Sequence, residues 1–331
     1  MNFEGLIGQN ELKQRLTGIV LSGNIGHAYV FSGPDGIGKM SFAKEFARMC
    51  MCTDPEEGCC CGKCRACTLN GAGNNTDLNI ISKDRDKTVI SVDRIREDIQ
   101  DKIQTAPNFS ARKIFIIEDA DMMNESAQNS ILKTLEEPPE YVMIIMLCAN
   151  TLNLIDTIKS RVINIELRRN TDAEILERAG RLEETGAEIN DSLLCAYADG
   201  IMGRVEDIFG NAELAETRTE ISEILEAVLA GKYDEKVRLK GIINVKKKKY
   251  DFVFFTIMSI LRDAMLISRY GAKTRIMNED FRGKIVSLGR NIGYYRVQKA
   301  LFTVDECYKL LLKNAIAELT VDNMLIKLEQ K

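Results

Sequence analysis

Short apolar runs alternate with helix-like segments through the first half of the chain. Five runs bounded by polar residues or glycines predict strands, at 28–31, 78–81, 114–117, 142–147 and 162–167. The fully apolar runs are typical of strands that are buried on both faces of a parallel sheet. The segments between them have helical spacing, as in Lys39–Met51 and in the series Val92, Ile95, Ile99 and Ile103. The pattern predicts a doubly wound α/β domain that ends near residue 168.

The strand pattern stops after Arg168, and only helical patterns follow. A small helical unit is predicted to about residue 211, and an all-helical domain from there to the end. Within the first half, Asn124 is predicted to cap a helix that Pro138 and Pro139 terminate. The fold class is therefore α/β followed by all-α.

Composition narrows the functional classes. The chain has 331 residues, 45% of them hydrophobic, and a net charge of −4, so its overall field does not attract DNA. One histidine argues against His-dependent nucleophilic catalysis, and it means that a zinc site must consist of thiolates. The start of the sequence lacks the pattern of a signal peptide, and no apolar stretch approaches 18 residues, so no membrane contact and a cytoplasmic location are expected.

A glycine-rich segment, GPDGIGK, follows a predicted strand and opens a predicted helix. Gly33, Gly36 and Gly38 let backbone N–H groups converge on phosphate oxygens, and Lys39 would reach the outer phosphates. In the complete motif a Ser or Thr comes next and binds Mg²⁺, but here Met40 takes that position. The sequence predicts a degenerate phosphate loop at which binding of ATP with Mg²⁺ is in doubt. A chance glycine-rich turn is the alternative.

The apolar strand at 114–117 ends in two acids, Glu118 and Asp119. Proteins that hydrolyse ATP with such a strand usually present Asp and then Glu, for Mg²⁺ and for the attacking water. The order is reversed here, and the two carboxylates differ in reach, so the alignment of metal and water is impaired. A solvated acidic strand end is the alternative, which the phosphate loop in the same domain disfavours.

Seven of the ten cysteines lie between residues 50 and 67. The pattern C-x8-C-x2-C-x2-C supplies four thiolates, those of Cys52, Cys61, Cys64 and Cys67. Four soft ligands suit tetrahedral Zn²⁺ and leave no open coordination position, so a structural zinc module is predicted. Cys50 and Cys59 compete with Cys52 as the first ligand, and unligated thiols are the alternative to a metal site.

The run of four lysines at 246–249 is the most concentrated positive charge in the chain. It could contact phosphate, but a solvated helix end is favoured because no interleaved aromatic residues accompany it.

These motifs occur together with IIEDADMMNESAQNSILKTLEEPPE and TIKSRV. In this combination the chain resembles the AAA+ clamp-loader subunits of bacterial DNA polymerase III, closely over residues 3–168 and in architecture beyond them. The resemblance implies a AAA+ domain at 1–168 with an inserted zinc module at about 50–67, a helical lid domain at 169–211 and a helical collar domain for oligomerisation at 212–331. Gamma/tau and delta-prime subunits share the zinc module; Met40, the order of the acids and the length favour the delta-prime type.

The resemblance also implies roles for individual residues. Asn150 matches the sensor that monitors the terminal phosphate, and Arg204 matches the second sensor arginine. Arg161 lies in SRV, which matches the Ser-Arg-Cys motif with valine in place of cysteine. In the family this arginine acts in trans, as a finger in the nucleotide site of the neighbouring gamma/tau subunit, where its planar charge suits the transition state. Gly8 and Gln9 resemble the region beside the adenine.

The implied partners are the gamma/tau and delta subunits and, through the complex, the sliding clamp and primed DNA. A subunit that completes the ring without hydrolysing ATP is the leading hypothesis. An ATP-hydrolysing motor of the gamma/tau type and a direct DNA-binding module are the alternatives, and the net charge of −4 disfavours the second.

Overall fold

The computed structural model describes residues 3, 5–83, 89–182, 190–209, 212–245, 250–313 and 315–329, which form two compact units. The first unit comprises Met1–Arg178 with Gly200–Gly203, and the second comprises Ala179–Asp199 with Arg204–Lys331. Each unit has a hydrophobic core of its own. The lysine run at 246–249 lies outside the described residues.

A five-stranded sheet organises the first unit. Its strands are β1 (Ala28–Ser32), β2 (Leu78–Ile81), β3 (Lys113–Ile117), β4 (Val142–Cys148) and β5 (Ile163–Glu166). Their order is β2-β3-β4-β1-β5, and every neighbouring pair is parallel. The prediction of a parallel sheet is confirmed. β1, β3 and β4 are buried along their whole length, which explains their unbroken apolar runs.

The α-helices between residues 10 and 180 are α1 (Asn10–Leu21), α2 (Lys39–Met51), α3 (Arg65–Gly71), α4 (Val92–Ile95), α5 (Glu125–Glu136), α6 (Asp156–Lys159) and α7 (Asp172–Gly180). Of these, α1 and α2 cover one face of the sheet, and α4, α5 and α6 cover the other. Alternate residues of the strands face opposite sides: Tyr29 and Phe31 pack with α1 and α2, whereas Ala28 and Val30 pack with α4, α5 and α6. The unit is therefore doubly wound, as predicted.

Val92, Ile95, Ile99 and Ile103 fall at helical spacing, and in the structure this segment combines two kinds of helical turn. α4 ends at Ile95 and passes into a π-helical turn at Arg96–Gln100. Ile95, Ile99 and Ile103 are nevertheless buried against the sheet. A π-turn closes with one more residue than an α-turn, so apolar spacing identifies the buried side but not the register of the hydrogen bonds.

Both ends of α5 agree with the sequence. The Asn124 side chain accepts a hydrogen bond from the Ala127 N–H at 2.8 Å, which satisfies one of the free donors of the first turn. The helix ends at Glu136, two residues before Pro138 and Pro139. Glu136, at this end of the helix, contacts Arg161.

The rest of the described chain is helical. The helices are α8 (Asp191–Ala198), α9 (Met202–Phe209), α10 (Ala212–Leu229), α11 (Tyr233–Val245), α12 (Tyr250–Tyr270), α13 (Arg282–Ile292), α14 (Tyr294–Leu312) and α15 (Ala317–Glu329). The buried side of α12 lies at the centre of the second unit, where Phe254, Ile257 and Leu261 pack among residues of its neighbours. Among the described residues, no helix is both long and apolar enough to cross a membrane.

Candidate nucleotide site and cysteine cluster

The topology gathers the predicted nucleotide-site residues along one edge of the sheet. Because the strands are parallel, the residues that follow their carboxyl ends share that edge. The phosphate loop follows β1, Glu118 and Asp119 follow β3, and Asn150 follows β4, which lies between the other two strands. The phosphate loop, the two acids and Asn150 are therefore brought to the same edge by the fold.

The backbone of the phosphate loop has the conformation that its glycines allow. Gly36 and Gly38 have φ values of 78° and 106°, in the region that favours glycine. A Cβ on Gly36 would lie 3.0 Å from the Ile201 side chain, and the Gly203 N–H donates to the Gly36 carbonyl at 2.9 Å. α2 begins directly after Gly38 without a side-chain cap, so its first N–H groups remain available to an anion.

Lys39 is engaged by the loop itself. Its Nζ donates to the carbonyls of Gly33 at 2.7 Å and Pro34 at 3.2 Å, and it forms an ion pair with Asp35 at 3.1 Å. The Lys39 side chain is only 10% exposed, whereas that of Asp35 is 85% exposed. The loop thus carries an internal carboxylate that neutralises its lysine. Asp35 is not among the residues to which the phosphate-loop motif assigns a role.

Met40 occupies the place of the missing hydroxyl. It is partly buried and packs against the core between the sheet and α2. A thioether offers Mg²⁺ no hard oxygen ligand, and the next hydroxyl, Ser41, is exposed one step along the helix, which corresponds to a rotation of about 100°. The described part of the loop therefore provides no hydroxyl at the position where the metal would need it.

The acids after β3 are held by short-range contacts. Asp119 has a φ of 49° and forms an ion pair with Lys83 at 3.2 Å. The Glu118 N–H donates to the Ile81 carbonyl at 2.8 Å, which extends the pairing of β3 with β2. Asp119 is thus already paired with a cation on the neighbouring strand end.

Asp121 connects the end of β3 with the end of β4. Its carboxylate accepts hydrogen bonds from the N–H groups of Ala149 at 3.2 Å and Asn150 at 3.3 Å. The Asn150 side-chain oxygen accepts from the Leu152 N–H at 2.9 Å, so the predicted sensor also caps a short turn. Burial and the charge of Asp121 raise the pKa of the Cys148 thiol to about 12, with Lys39 opposing them, so both charges act at the end of β4.

Gly8 and Gln9 lie beside the end of β5. The Gln9 carboxamide donates to the Arg168 carbonyl and accepts from the Arg168 N–H at 3.1 Å. A cavity of about 220 Å³ is lined by Gln9, Leu12, Arg15 and Ile165, among others. The backbone N–H and carbonyl of Arg168 are thus both hydrogen-bonded to the Gln9 side chain.

Arg161 follows α6, and its guanidinium has three contacts. NH1 donates to the Thr157 carbonyl at 3.0 Å and to the Ser160 hydroxyl at 3.1 Å, and NH2 lies 2.7 Å from a carboxylate oxygen of Glu136. The side chain remains 34% exposed. The guanidinium is therefore oriented by the protein and still accessible from outside.

Arg204 belongs to the second unit. Its guanidinium donates to the Tyr197 carbonyl at 3.1 Å, lies over the Tyr197 ring at 5.7 Å and is 3.5 Å from the Asp251 carboxylate. These contacts fix its place in the helical unit. Its role as a second sensor stays a prediction.

The cysteine cluster has the dimensions of a tetrahedral metal site. The ligand atoms of Cys52, Cys61, Cys64 and Cys67 all lie within 4.8 Å of one another. Cys52 Sγ is 3.6 Å from Cys61 Sγ and 3.9 Å from Cys64 Sγ. Four sulfurs at a Zn–S distance of about 2.3 Å would be separated by about 3.8 Å, so the four thiols fit the ion.

Backbone N–H groups support these sulfurs, as is usual around thiolate sites. The N–H of Cys61 points to Cys52 Sγ at 3.4 Å, that of Cys64 to Cys61 Sγ at 3.3 Å, and that of Cys67 to Cys64 Sγ at 3.4 Å. Burial raises the pKa of the Cys64 thiol, but hydrogen bonds from the backbone of Thr53 and Cys67 outweigh burial and lower this pKa to about 6. Burial raises the pKa of Cys52 and of Cys67.

The two competing cysteines are placed elsewhere. Cys50 is part of the core between α2 and the sheet, and burial raises the pKa of its thiol to about 12. The Cys59 thiol lies 3.8 Å from the Glu57 carbonyl and is outside the group of four. The geometry favours Cys52 as the first member of the group.

The cluster is joined to the sheet by the segment that precedes β3. The Ala111 N–H donates to the carbonyl of Met51, and the Arg65 guanidinium lies 4.0 Å from the centre of the Phe109 ring. Asp77, fully buried before β2, accepts hydrogen bonds from the N–H groups of residues 108–110 at 2.8–3.0 Å. The module is therefore packed on an anchored loop.

A strand that leads into a phosphate loop, beside a strand that ends in acids, places the first unit among P-loop nucleotide-binding folds, and the sheet with its helices resembles the AAA+ clamp-loader fold. The solved gamma subunit-related protein of DNA polymerase III from Thermotoga maritima superposes with a TM-score of 0.50 at 18% identity, over 97% of this chain and 98% of that one. At this level of identity the likeness concerns the fold alone.

The family model "DNA polymerase III, delta subunit" matches residues 8–171. DNA polymerase III subunit tau of Bacillus subtilis is 36% identical over 208 residues, which are 60% of this chain and 36% of tau. Subunit delta-prime of Pseudomonas aeruginosa is 32% identical over 204 residues, 61% of each chain. These matches support the assignment of the chain to the family of DNA polymerase III clamp-loader subunits. The match spans less than two thirds of the length of either relative.

Proposed function

We propose that this chain is a delta-prime subunit of the clamp loader: it completes the complex without hydrolysing ATP itself and supplies Arg161 to the nucleotide site of a neighbouring gamma/tau subunit. Its partners are then gamma/tau and delta and, through the complex, the sliding clamp and primed DNA. In this proposal residues 1–168 form the AAA+ domain, 169–211 the lid and 212–331 the collar through which the subunits assemble.

The observation that carries the proposal is the contrast between the chain's own site and Arg161. In its own site, Met40 replaces the hydroxyl, Asp35 pairs with Lys39, and Asp119 pairs with Lys83. Each of these features opposes alignment of Mg²⁺, water and phosphate, on which phosphoryl transfer depends. Arg161, in contrast, is ordered by three contacts and exposed, as a group that acts on another molecule should be.

We also propose that the four-cysteine cluster holds one structural Zn²⁺. The donor set consists of soft sulfurs at tetrahedral spacing, and four protein ligands leave no position for water or substrate. The ion would stabilise the segment between α2 and α3 and take no part in chemistry.

Reconstitution of the complex with gamma/tau and delta from the same bacterium tests the trans role. We expect Arg161→Ala to lower ATP hydrolysis stimulated by primed DNA and clamp, because an arginine finger contributes about 10³–10⁵ at its own site. The loss for the whole complex is smaller, since the other gamma/tau interfaces continue to hydrolyse ATP. Arg161→Lys should restore little, because an ammonium group lacks the planar fork of donors.

Lys159→Ala is the matched control. Lys159 is the last residue of α6, two positions before Arg161, and its side chain is 35% exposed, close to the 34% of Arg161. Both variants should assemble normally, because exposed ion pairs contribute only about 0–1 kcal/mol to stability. An Arg161→Ala complex that assembles, hydrolyses ATP and loads clamps at the wild-type rate would refute the trans role.

A further inference from the structure

Two glutamates at the end of α5 break a general preference of helices. Glu136 is the last helical residue and Glu137 follows it. The carbonyl end of a helix carries partial negative charge and favours cations, so acids are electrostatically unfavourable there. The helix itself gains nothing from an acid at this position, and such local conflicts are expected where a residue serves a site.

Glu136 contacts Arg161, the side chain that is proposed to act in the nucleotide site of a neighbouring subunit. Its carboxylate oxygen lies 2.7 Å from NH2 of Arg161, while NH1 is occupied by the Thr157 carbonyl and the Ser160 hydroxyl. A guanidinium has five N–H donors, so these three contacts leave two for another group. The contacts hold one part of the planar group and leave the rest accessible.

α5 also holds the segment that leads to Arg161. Gln128, which is buried on α5, donates to the Asn153 carbonyl at 3.0 Å and accepts from the Ile155 N–H at 2.9 Å. Gln128 and Glu136 lie eight residues apart on one helix, a rise of about 12 Å. The chain from Asn153 to Arg161 is thus attached to the same rigid element at both of its ends.

We propose that Glu136 is a positioning residue for Arg161: it restricts the guanidinium to the orientation in which its remaining donors meet a phosphoryl group of the neighbouring subunit. This inference rests on the proposed trans role of Arg161. Without the carboxylate, the arginine regains rotamers that do not point outward, and each entry into the partner site must overcome that added entropy. The ion pair is half-exposed and contributes little to stability, so its loss leaves the fold intact.

The test is a double-mutant cycle in the reconstituted complex. Its measure is finger-dependent hydrolysis, defined for each complex as its stimulated ATPase rate minus that of the Arg161→Ala complex. We expect Glu136→Ala to lower the kcat of finger-dependent hydrolysis by about three- to tenfold and to leave the KM for ATP unchanged. A loss of this size is within the rotamer entropy that an arginine side chain can regain. Glu136→Gln keeps an acceptor oxygen and should retain more activity than Glu136→Ala. Glu137→Ala is the matched control and should behave as wild type.

The double variant Glu136→Ala/Arg161→Ala should hydrolyse ATP at the rate of Arg161→Ala alone, since a residue that acts through Arg161 has no effect in its absence. A further loss in the double variant would mean that Glu136 acts by another route and would overturn the proposal. A Glu136→Ala complex as active as wild type, or more active, would overturn it too, while a loss in Arg161→Ala would still support the trans role. If Arg161→Ala itself has no effect, the proposed function fails, and the positioning role fails with it.

Discussion

At the scale of single residues, the phosphate loop presents a lysine whose charge is already satisfied. An incoming triphosphate must displace Asp35 from Lys39, and it finds Met40 where a hydroxyl would hold its metal. Displacing a largely exposed carboxylate costs little, whereas the missing ligand cannot be replaced by a small movement. We therefore propose that binding and hydrolysis are affected to different extents: Asp35 weakens binding, and Met40 prevents productive placement of Mg²⁺.

The different effects on ATP binding and on hydrolysis can be tested with the isolated chain. We expect its ATP hydrolysis to be negligible and unchanged by Lys39→Ala. Asp35→Asn should tighten binding of a non-hydrolysable triphosphate by up to about fivefold, the effect of losing an ion pair worth about 0.2–1 kcal/mol, without a gain in turnover. Calorimetry and a steady-state ATPase assay check the two parts. Turnover at motor rates that Lys39→Ala abolishes would favour the gamma/tau alternative instead.

Sequence identified the residues of this site whose chemistry depends on type and spacing. Lys39, Met40 and the four cysteines were found because a motif fixes their positions. Asp35, Asp121 and Glu136 were missed because their importance lies in contacts, and the partner of Glu136 is 25 positions away along the chain. The contacts of Asp121 and Glu136 arise only when the sheet and helices bring distant segments together, whereas Asp35 pairs with Lys39 within the loop itself.

At the scale of secondary-structure elements, the cysteine module illustrates how much a short segment depends on its ligand. Three of the four sulfurs come from a turn and the start of α3, a helix of only seven residues, which is too short to be stable alone. Its contacts with the rest of the protein include that of Arg65 with the Phe109 ring and that of Asn70 with the Met51 sulfur. A bound ion would add four strong links between Cys52, the turn and the start of α3.

We therefore expect elemental analysis of metal-replete, reduced protein to find one zinc per chain. Cys52→Ser should lose the metal, because a serine hydroxyl is a poor replacement for a thiolate, and its thermal unfolding temperature should fall. Cys59→Ser is the matched control and should keep the metal, since Cys59 lies outside the group of four. A chelator should destabilise wild type and Cys59→Ser but not Cys52→Ser. Retention of zinc in Cys52→Ser would show that Cys50 or Cys59 is the ligand.

Helix and strand positions followed closely from the pattern of apolar residues. α2 spans Lys39–Met51 as predicted, because a glycine turn begins it and its apolar side packs against the sheet. The apolar series that ends at Ile103 has helical spacing, and the structure divides it between α4 and a π-turn that begins at Arg96. The apolar periodicity indicates which side chains are buried, and an α-helix and a π-turn can both bury them. It does not indicate which carbonyl accepts the hydrogen bond of each N–H.

At the scale of the whole molecule, apolar runs predicted a parallel sheet but could not order its strands. The observed order places β4 between β1 and β3, and this brings Asn150 between the phosphate loop and the acids. Order depends on which crossover packs on which face, a property of the assembled sheet. The site therefore became visible as a unit only in three dimensions.

The net charge of the whole chain predicts weak binding to DNA. The chain carries 49 acidic and 45 basic side chains of Asp, Glu, Lys and Arg, for a net charge of −4, so association with DNA receives no general electrostatic gain. We expect the isolated chain to bind primed DNA no more tightly than a non-specific dissociation constant of about 10⁻⁴–10⁻⁶ M at physiological salt. Fluorescence anisotropy of a labelled primed template, measured across a salt series with the chain alone and with the full complex, checks this. Tight binding by the chain alone that weakens steeply with salt and disappears when residues 246–249 are changed to glutamine would contradict it. That result would make the lysine run a DNA contact, and the chain a DNA-binding module in its own right.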